Sequence, residues 1–341
     1  MSPKAKAPKD PLANPASPDA AASGPVPSAL RQAAERAHAK VASDADAGAP
    51  TTLQAQPPLP PLRTDLRLRF GLTAWSNSHF DNALFPLGTP HDEYLPRYSS
   101  VFSVAEADQL YHRLPGAKLL EPWIEQTPPG FKFLPKMWKK VTHEGGGVEE
   151  AKTWLDLLEP LRAADKLGPV LIQLPPSMKR EKGWELIEKL LALQEPGSFA
   201  LEVRNPSWFV DATQDLLTTH DAALVWGTHP KAFAPPWATS SFGYVRFTGN
   251  LVDVRGRYIT QADRLSDILE VRKRVQHAPW KEAFVISTNP FEGNAADSLP
   301  RIAAALGDGE LAKRLTRKPG DVWFPGPPQP KQKGQKQLTL G

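Results

Sequence analysis

Cysteine is absent from this chain. That absence excludes disulfide frameworks, thiolate catalysis and cysteine-based zinc sites, and it suits a reducing compartment. Long hydrophobic runs are lacking too, since none approaches the ~20 apolar residues that span a bilayer. The first residues, MSPKAKAPKD, have lysines but no apolar segment behind them, so no secretory signal is predicted. We therefore expect a soluble, cytoplasmic protein without a membrane partner.

Several enzyme motifs are also missing. The sequence has no P-loop, no GxGxxG after an apolar run and no GxSxG segment. Its eight histidines show no H-x-H or HExxH spacing. We therefore expect no cofactor, although Glu106, Asp108 and Glu202 leave Mg²⁺ or another divalent metal open, because carboxylate oxygens are its usual ligands.

The net charge of +4 is unevenly distributed. Residues 63–311 carry 28 basic and 31 acidic side chains, whereas residues 312–341 carry seven basic side chains against Asp321. A nucleic-acid-binding domain usually presents a basic face on its fold. The acidic body argues against a general footprint of this kind but is compatible with a local basic patch, so nucleic acid stays an open partner.

The composition divides the chain into three parts. Residues 1–62 are rich in Pro, Ala and Ser and are predicted to be disordered, because they have too few large apolar side chains to offset ordering entropy. Residues 63–316 are predicted to form the folded domain, and residues 317–341 a basic flexible tail.

Eight short apolar runs, most of them ending in a polar residue, occur in the central part. Helical patterns at 148–167, 183–193, 262–276 and about 296–315 lie between and after them. This alternation predicts an α/β protein with a TIM-like (β/α)₈ barrel. The predicted strands are residues 66–73, 101–107, 131–137, 169–174, 199–203, 222–227, 242–249 and 283–289.

The polar ends of these runs predict the site, because such barrels build active sites at the C-terminal ends of their strands. Side chains two positions apart share a face of a strand, which places Glu202 with Arg204 and Glu106 with Asp108. A structural salt-bridge network is the alternative interpretation. His143, in the loop after the third run, is the candidate proton-transfer group. The predicted ring is Glu106, Lys136, Gln173, Glu202, Arg204, Arg246 and Asn289.

Four segments carry a family resemblance: TPPGFKFLPK through VTH (127–143), LGPVLIQLPPS (167–177), EVRNPSWF (202–209) and YVRFTGN (244–250). Together they resemble the domain-of-unknown-function 72 family, the YecE-like proteins, over Gly71 to Gly293. The resemblance implies a TIM-like barrel but no established activity. It places the family's polar residues at Glu106, Lys136, His143, Gln173, Glu202, Arg204, Arg246 and Asn289.

The chain also departs from the family pattern beside the expected site. Asn77 replaces an aromatic residue, although Gly71 and Trp75 are kept in the same segment. Asp108 stands where the family has Asn, His112 where it has Tyr, and Thr248 where it has His. These changes imply altered specificity or lost activity.

Our first hypothesis is an enzyme, a hydrolase or isomerase, acting on a small or nucleotide-like anionic substrate. Arginine and lysine would hold the anion, and Glu106 and Glu202 would act as general acid and base. The anion-binding residues are Arg204, Arg246 and Lys136, and the expected walls of the pocket are Trp75, Trp208 and Trp226. A non-catalytic ligand-binding barrel is an alternative.

The other alternative is a nucleic-acid-processing or repair-associated protein that docks through its tail. QLTLG, at Gln337–Gly341, resembles the pentapeptide that binds the bacterial sliding clamp, with Gly341 in place of the final aromatic residue. A solvated tail explains the same segment.

Overall fold

Parallel β-strands alternate with helices through the described part of the chain. In this computed structural model the described residues are 62–316, except 77–79, 81–83, 87–88 and 251–260. Residues 1–61 and 317–341, and with them the expected disordered segment, the basic tail and Gln337–Gly341, lie outside the described residues, as does Asn77. The predicted boundaries at 62 and 316 therefore stay predictions.

Each of the eight apolar runs predicted as strands contains a strand. The described residues form nine strands because the sixth run is divided in two at Val225. Several are buried at every position, as expected for parallel strands that are covered on both faces. The strands are β1 (Arg67–Leu72), β2 (Val104–Ala107), β3 (Lys132–Pro135), β4 (Val170–Gln173), β5 (Phe199–Glu202), β6 (Ala223–Leu224), β7 (Trp226–Gly227), β8 (Phe242–Phe247) and β9 (Glu282–Ser287).

Helices connect most of these strands. None of the helices in the described ranges is long and apolar enough to cross a membrane. They are α1 (Tyr94–Ser99), α2 (Gln109–His112), α3 (Ala117–Glu125), α4 (Lys139–Thr142), α5 (Val148–Asp156), α6 (Glu159–Ala163), α7 (Arg180–Leu191), α8 (Asp211–Thr219), α9 (Leu265–His277), α10 (Ala295–Ala305) and α11 (Gly309–Leu315), with 3₁₀ turns at His91–Glu93 and Pro206–Trp208.

Two of the predicted helices are each divided into two. The pattern at 148–167 becomes α5 and α6, and Pro160 lies in the first turn of α6, where a missing N–H and a fixed φ are tolerated. The pattern at 296–315 becomes α10 and α11, separated by Gly307 with φ 87°. A glycine in the left-handed region is a common helix terminator.

The strands form three parallel sheets, ordered β1–β9–β8–β7, β2–β3 and β4–β5–β6. Single bridges connect them: Thr73 with Glu106 joins β1 to β2, and Lys136 with Leu171 joins β3 to β4. Val225 links β6 directly to β7 along the chain. Each sheet is therefore connected to both of the others, and the fold is α/β with parallel sheets.

Apolar side chains form two separate clusters. The larger one combines strand and helix residues. The smaller one, here called the interior cluster, draws only on strands and Val225: Val104, Leu134, Leu171, Ala200, Ala223, Val225, Phe242, Tyr244, Phe284 and Ile286. On β8, Phe242 and Tyr244 belong to the interior cluster, whereas Val245 and Phe247 belong to the larger one. The two faces of the strands thus alternate as parity requires.

Candidate functional site

Arg246, near the end of β8, holds two buried carboxylates together. Its Nε and Nη2 donate to Oε2 and Oε1 of Glu106 at 2.8 and 2.6 Å. Its Nη1 donates to Oε2 of Glu202 at 2.6 Å. All three side chains are at most 4% exposed. Bidentate pairing fixes the orientation of the guanidinium as well as its charge partner.

Strand parity brings these three residues to one place. Each lies two positions beyond a member of the interior cluster, on the same face of its strand and nearer the C-terminal end. The preceding same-face residues are Val104, Ala200 and Tyr244. The ion pairs therefore lie next to the interior cluster, on the side of the C-terminal ends of the strands, where the sequence predicts them.

Both oxygens of Glu106 are saturated with donors. In addition to the two bonds from Arg246, Oε2 accepts from the hydroxyl of Tyr244 at 3.0 Å and Oε1 accepts from the hydroxyl of Thr73 at 3.3 Å. These four donors fix the orientation of the Glu106 side chain. Burial and the nearby Glu106 charge raise the pKa of Tyr244 well above its usual value, so this phenol stays a donor.

Glu202, the last residue of β5, is also held as a carboxylate. Gln173, its partner in the β4–β5 register, donates Nε2 to Oε2 at 2.9 Å, and Arg204 donates Nε to Oε1 at 2.9 Å. Burial opposes ionisation, but the positive charges of Arg246 and Arg204 outweigh it and hold the pKa of Glu202 far below its usual range. Glu202 is therefore not a proton donor near neutral pH.

Arg204 is the partly exposed end of this network. Its side chain is 25% exposed, whereas that of Glu202 is 4% exposed. Only its Nε is engaged, and within the described ranges its two terminal nitrogens donate to no other group. The guanidinium is thus anchored on one edge, with the N–H groups of the other edge available for a ligand.

Lys136 supplies a second cation near the ends of the strands. Its Nζ lies 3.1 Å from Oδ1 of Asp108 and 4.0 Å from the centre of the Tyr111 ring. Burial opposes ionisation of Asp108, but the charge of Lys136 outweighs it and lowers the pKa of this carboxyl group. Asp108 therefore neutralises Lys136.

His143 follows α4 and packs edge-on against Tyr111, with the ring centres 5.4 Å apart. Its Nδ1 is 2.8 Å from Oγ1 of Thr142. Partial burial and the charges of Lys136 and Arg204 lower the pKa of His143, so the imidazole is neutral near pH 7 and able to accept a proton.

Two further histidines also have lowered pKa values. His112 packs edge-on against Tyr111 at 4.9 Å, and burial is the main cause that lowers its pKa. His229, after β7, receives a hydrogen bond from the backbone N–H of Lys231 at its Nδ1. Burial, followed by the charge of Arg204, lowers the pKa of His229.

Asn289 and Thr248 do not join the ion-pair network. The side chain of Asn289 accepts from the backbone N–H of Ala295, at the start of α10, at 3.4 Å. Parity on β9 favours Thr288 for the inward face, because it continues the series of Phe284 and Ile286. Thr248 is buried, and within the described part of the chain its hydroxyl has no hydrogen-bond partner.

The three tryptophans expected to wall a pocket pack elsewhere. Trp75, Trp208 and Trp226 are all members of the larger core and at most 3% exposed. Trp75 contacts Trp123 at 4.6 Å, and Trp226 contacts Trp280 at 4.2 Å. Their indole rings pack within the larger core and do not line the site.

The three carboxylates considered as ligands for a divalent metal are all paired with cationic side chains. Glu106 and Glu202 are bound to Arg246, and Asp108 is paired with Lys136. Among the described residues, no three His, Cys, Asp or Glu side chains are gathered as metal ligands.

Tyr111, Tyr244 and Thr73 belong to the site but were not among the predicted residues. Parity alone indicates Tyr244, two positions before Arg246. Tyr111 is on the short helix α2, three residues after Asp108, and no strand pattern indicates it.

The geometry defines a class of protein: an α/β fold whose parallel strands carry a charged site at their C-terminal ends. A family model described as "Protein of unknown function DUF72" matches residues 69–320, and the chain belongs to this family. This confirms the resemblance seen in the sequence. It names no activity.

Individual relatives agree with this assignment. The UPF0759 protein YunF of Bacillus subtilis (strain 168) is 30% identical over 152 residues, which are 41% of this chain and 51% of that protein. The match thus spans about half the length of that relative. A DUF72 family protein from Thermotoga maritima MSB8 has a similar structure, with a TM-score of 0.57 and 24% identity over 72% of this chain and 99% of that one. One from Enterococcus faecalis V583 has a TM-score of 0.57 and 22% identity over 73% and 98%.

Proposed function

We propose that this protein is an enzyme with a TIM-like (β/α)₈ barrel that acts on a small anionic substrate at the C-terminal ends of its strands. The connections among the three sheets, together with an interior cluster built from strands and Val225, support the barrel. β6 and β7 then count as one barrel strand, which gives eight.

The orientation of Arg204 carries the proposal. A guanidinium with one edge bound to a buried carboxylate and the other edge free is pre-oriented for a carboxylate or phosphate group. The two buried glutamates take their second positive charge from Arg204 through its Nε edge, so the network does not use the terminal N–H groups of Arg204. Lys136, on β3's side of the site, adds a second cation.

Proton transfer is assigned to His143 rather than to the glutamates. Glu106 is fully occupied in holding Arg246, Tyr244 and Thr73, and the pKa of Glu202 is held far below its usual range, so Glu202 carries no proton to donate near pH 7. The neutral imidazole of His143 has the properties of a general base. The glutamates then orient Arg246 and Arg204, and the reaction is a hydrolysis or an isomerisation.

The test compares Arg204→Ala with Arg162→Ala, a variant of an arginine on α6 that is paired with Glu159. A panel of phosphorylated and carboxylated metabolites is screened for thermal stabilisation and turnover. We expect ligands that stabilise the wild type and the Arg162 variant to lose most of that effect in the Arg204 variant. Equal responses of the two variants would contradict the proposed site, and stabilisation without turnover would favour a non-catalytic binding barrel.

A further inference from the structure

The charges of the site cancel when its histidines are neutral. Arg246 and Arg204 balance Glu106 and Glu202, and the remaining ion pair, Lys136 with Asp108, balances itself. Binding a dianion would therefore leave the site with an excess negative charge. The three neighbouring histidines are the groups that can compensate, by taking up protons.

The available donors suit a tetrahedral oxyanion better than a planar carboxylate. Arg204 follows β5 and Lys136 follows β3, with only β4 between them. At ~4.8 Å between neighbouring strands, their backbones are about 10 Å apart. Two long side chains can approach one ligand from both sides across such a gap. A group with three terminal oxygens can receive donors from these two directions at once.

We propose that this site binds a dianionic phosphoryl group between Arg204 and Lys136, and that His112, His143 and His229 take up a proton when it binds. This inference rests on the proposed function and specifies its substrate class. The substrate is then a phosphate monoester or a related dianion.

The surroundings of each histidine support the coupling. His143 packs against the Tyr111 ring, over which Nζ of Lys136 lies at 4.0 Å. Burial and the charges of Lys136 and Arg204 lower the pKa of His143, whereas Glu144 raises it. A bound dianion between those two cations would offset the charges that disfavour protonation.

The other two histidines share these neighbours. Burial and the charges of Lys136 and Lys139 lower the pKa of His112, whereas the charge of Asp108 raises it. Burial and the charges of Arg204, Lys231 and Arg264 lower the pKa of His229, whereas the charge of Glu202 raises it. His112 also packs against the Tyr111 ring that lies under Nζ of Lys136, and the charge of Arg204 acts on His229.

Sulfate is the best probe, because it is a tetrahedral dianion that does not itself titrate near pH 7. Calorimetric titration of the full chain in two buffers of different ionisation enthalpy measures the protons taken up. We expect uptake of about one proton and sulfate binding that strengthens up to ~10-fold for each pH unit between 8 and 6. Acetate, a planar monoanion, is the comparison ligand.

The matched variants are the triple substitution His112→Gln, His143→Gln, His229→Gln and the single substitution His277→Gln at the end of α9. The triple variant is expected to bind sulfate without proton uptake, whereas the His277 variant behaves as the wild type. Sulfate binding without uptake in the wild type overturns the coupling. Acetate binding that depends on Arg204, with no sulfate binding, overturns the phosphoryl assignment and leaves the proposed function standing. If neither anion binds and no metabolite of the panel does, both proposals fail.

Discussion

Arg246 and Glu106 are 140 residues apart in the chain, yet they share two hydrogen bonds of 2.8 and 2.6 Å between buried side chains. The same guanidinium reaches Glu202, which in turn orients Arg204. A continuous chain of contacts thus extends from the interior cluster to a partly exposed cation. Under the proposed function, stability and ligand binding depend on the same network.

Replacement of Arg246 by Ala is expected to destabilise the fold by about 3–5 kcal/mol, because it leaves two buried carboxylates without their cation. Urea unfolding followed by circular dichroism measures this loss. Arg162→Ala, at an exposed ion pair, is the control and is expected to cost at most about 1 kcal/mol. Similar losses in the two variants would show that Arg246 does not hold the network together.

The low pKa of Glu202 predicts a specific acid sensitivity. Its folded pKa lies below the ordinary value of 4.5, so its stabilisation is present above that value and is lost as the pH falls below it. Glu202→Gln should therefore be less stable than the wild type at pH 7, and the difference should shrink from about pH 5 towards pH 3. Unfolding free energies measured across this range give the difference. Glu121→Gln, at an exposed position on α3, is the control variant, and a difference for Glu202→Gln that stays constant across this range would refute the prediction.

The sequence predicted the positions of the strands and the faces of their side chains, because both depend on local alternation. Glu106, Glu202 and Arg246 could be grouped in this way before any distance was known. Their pairing could not, since it depends on which strands face each other across the interior. It is this pairing that changes Glu202 from an acid–base candidate into a fixed carboxylate.

The tryptophans show a second limit of the sequence. The sequence around a tryptophan near a strand end does not show whether the indole ring packs in the core or faces a ligand. Trp75 packs against Trp123 and Trp226 packs against Trp280, and both partners are distant in the sequence. These contacts place both rings in the core. Asn289 was placed in the ring because it ends the eighth run, whereas the parity of Phe284 and Ile286 leads to Thr288, and Asn289 accepts instead from the backbone N–H of Ala295.

Gly249, just beyond β8, is expected to tolerate no side chain. A Cβ at this position would overlap the carbonyl of Pro290, in the loop after β9, and backbone cannot move aside cheaply. Gly249→Ala should cost about 1–3 kcal/mol or more, since the two loops at the site must separate. Gly227→Ala, at the end of β7, is the matched control because nothing lies within 4 Å of its added Cβ. Thermal unfolding compares them, and equal melting temperatures would contradict the close approach of the two loops.

Asp108→Asn should strengthen anion binding, because it removes the charge that neutralises Lys136. We expect sulfate to bind roughly 3- to 10-fold more tightly at low salt, with the gain diminishing as ionic strength rises. The control is Asp165→Asn, because Asp165 pairs at 2.6 Å with Lys132, at the opposite end of the same strand β3. That variant changes the net charge equally but lies away from the site. An equal gain in both variants would indicate a general charge effect, and a loss in Asp108→Asn would place Lys136 outside the anion site.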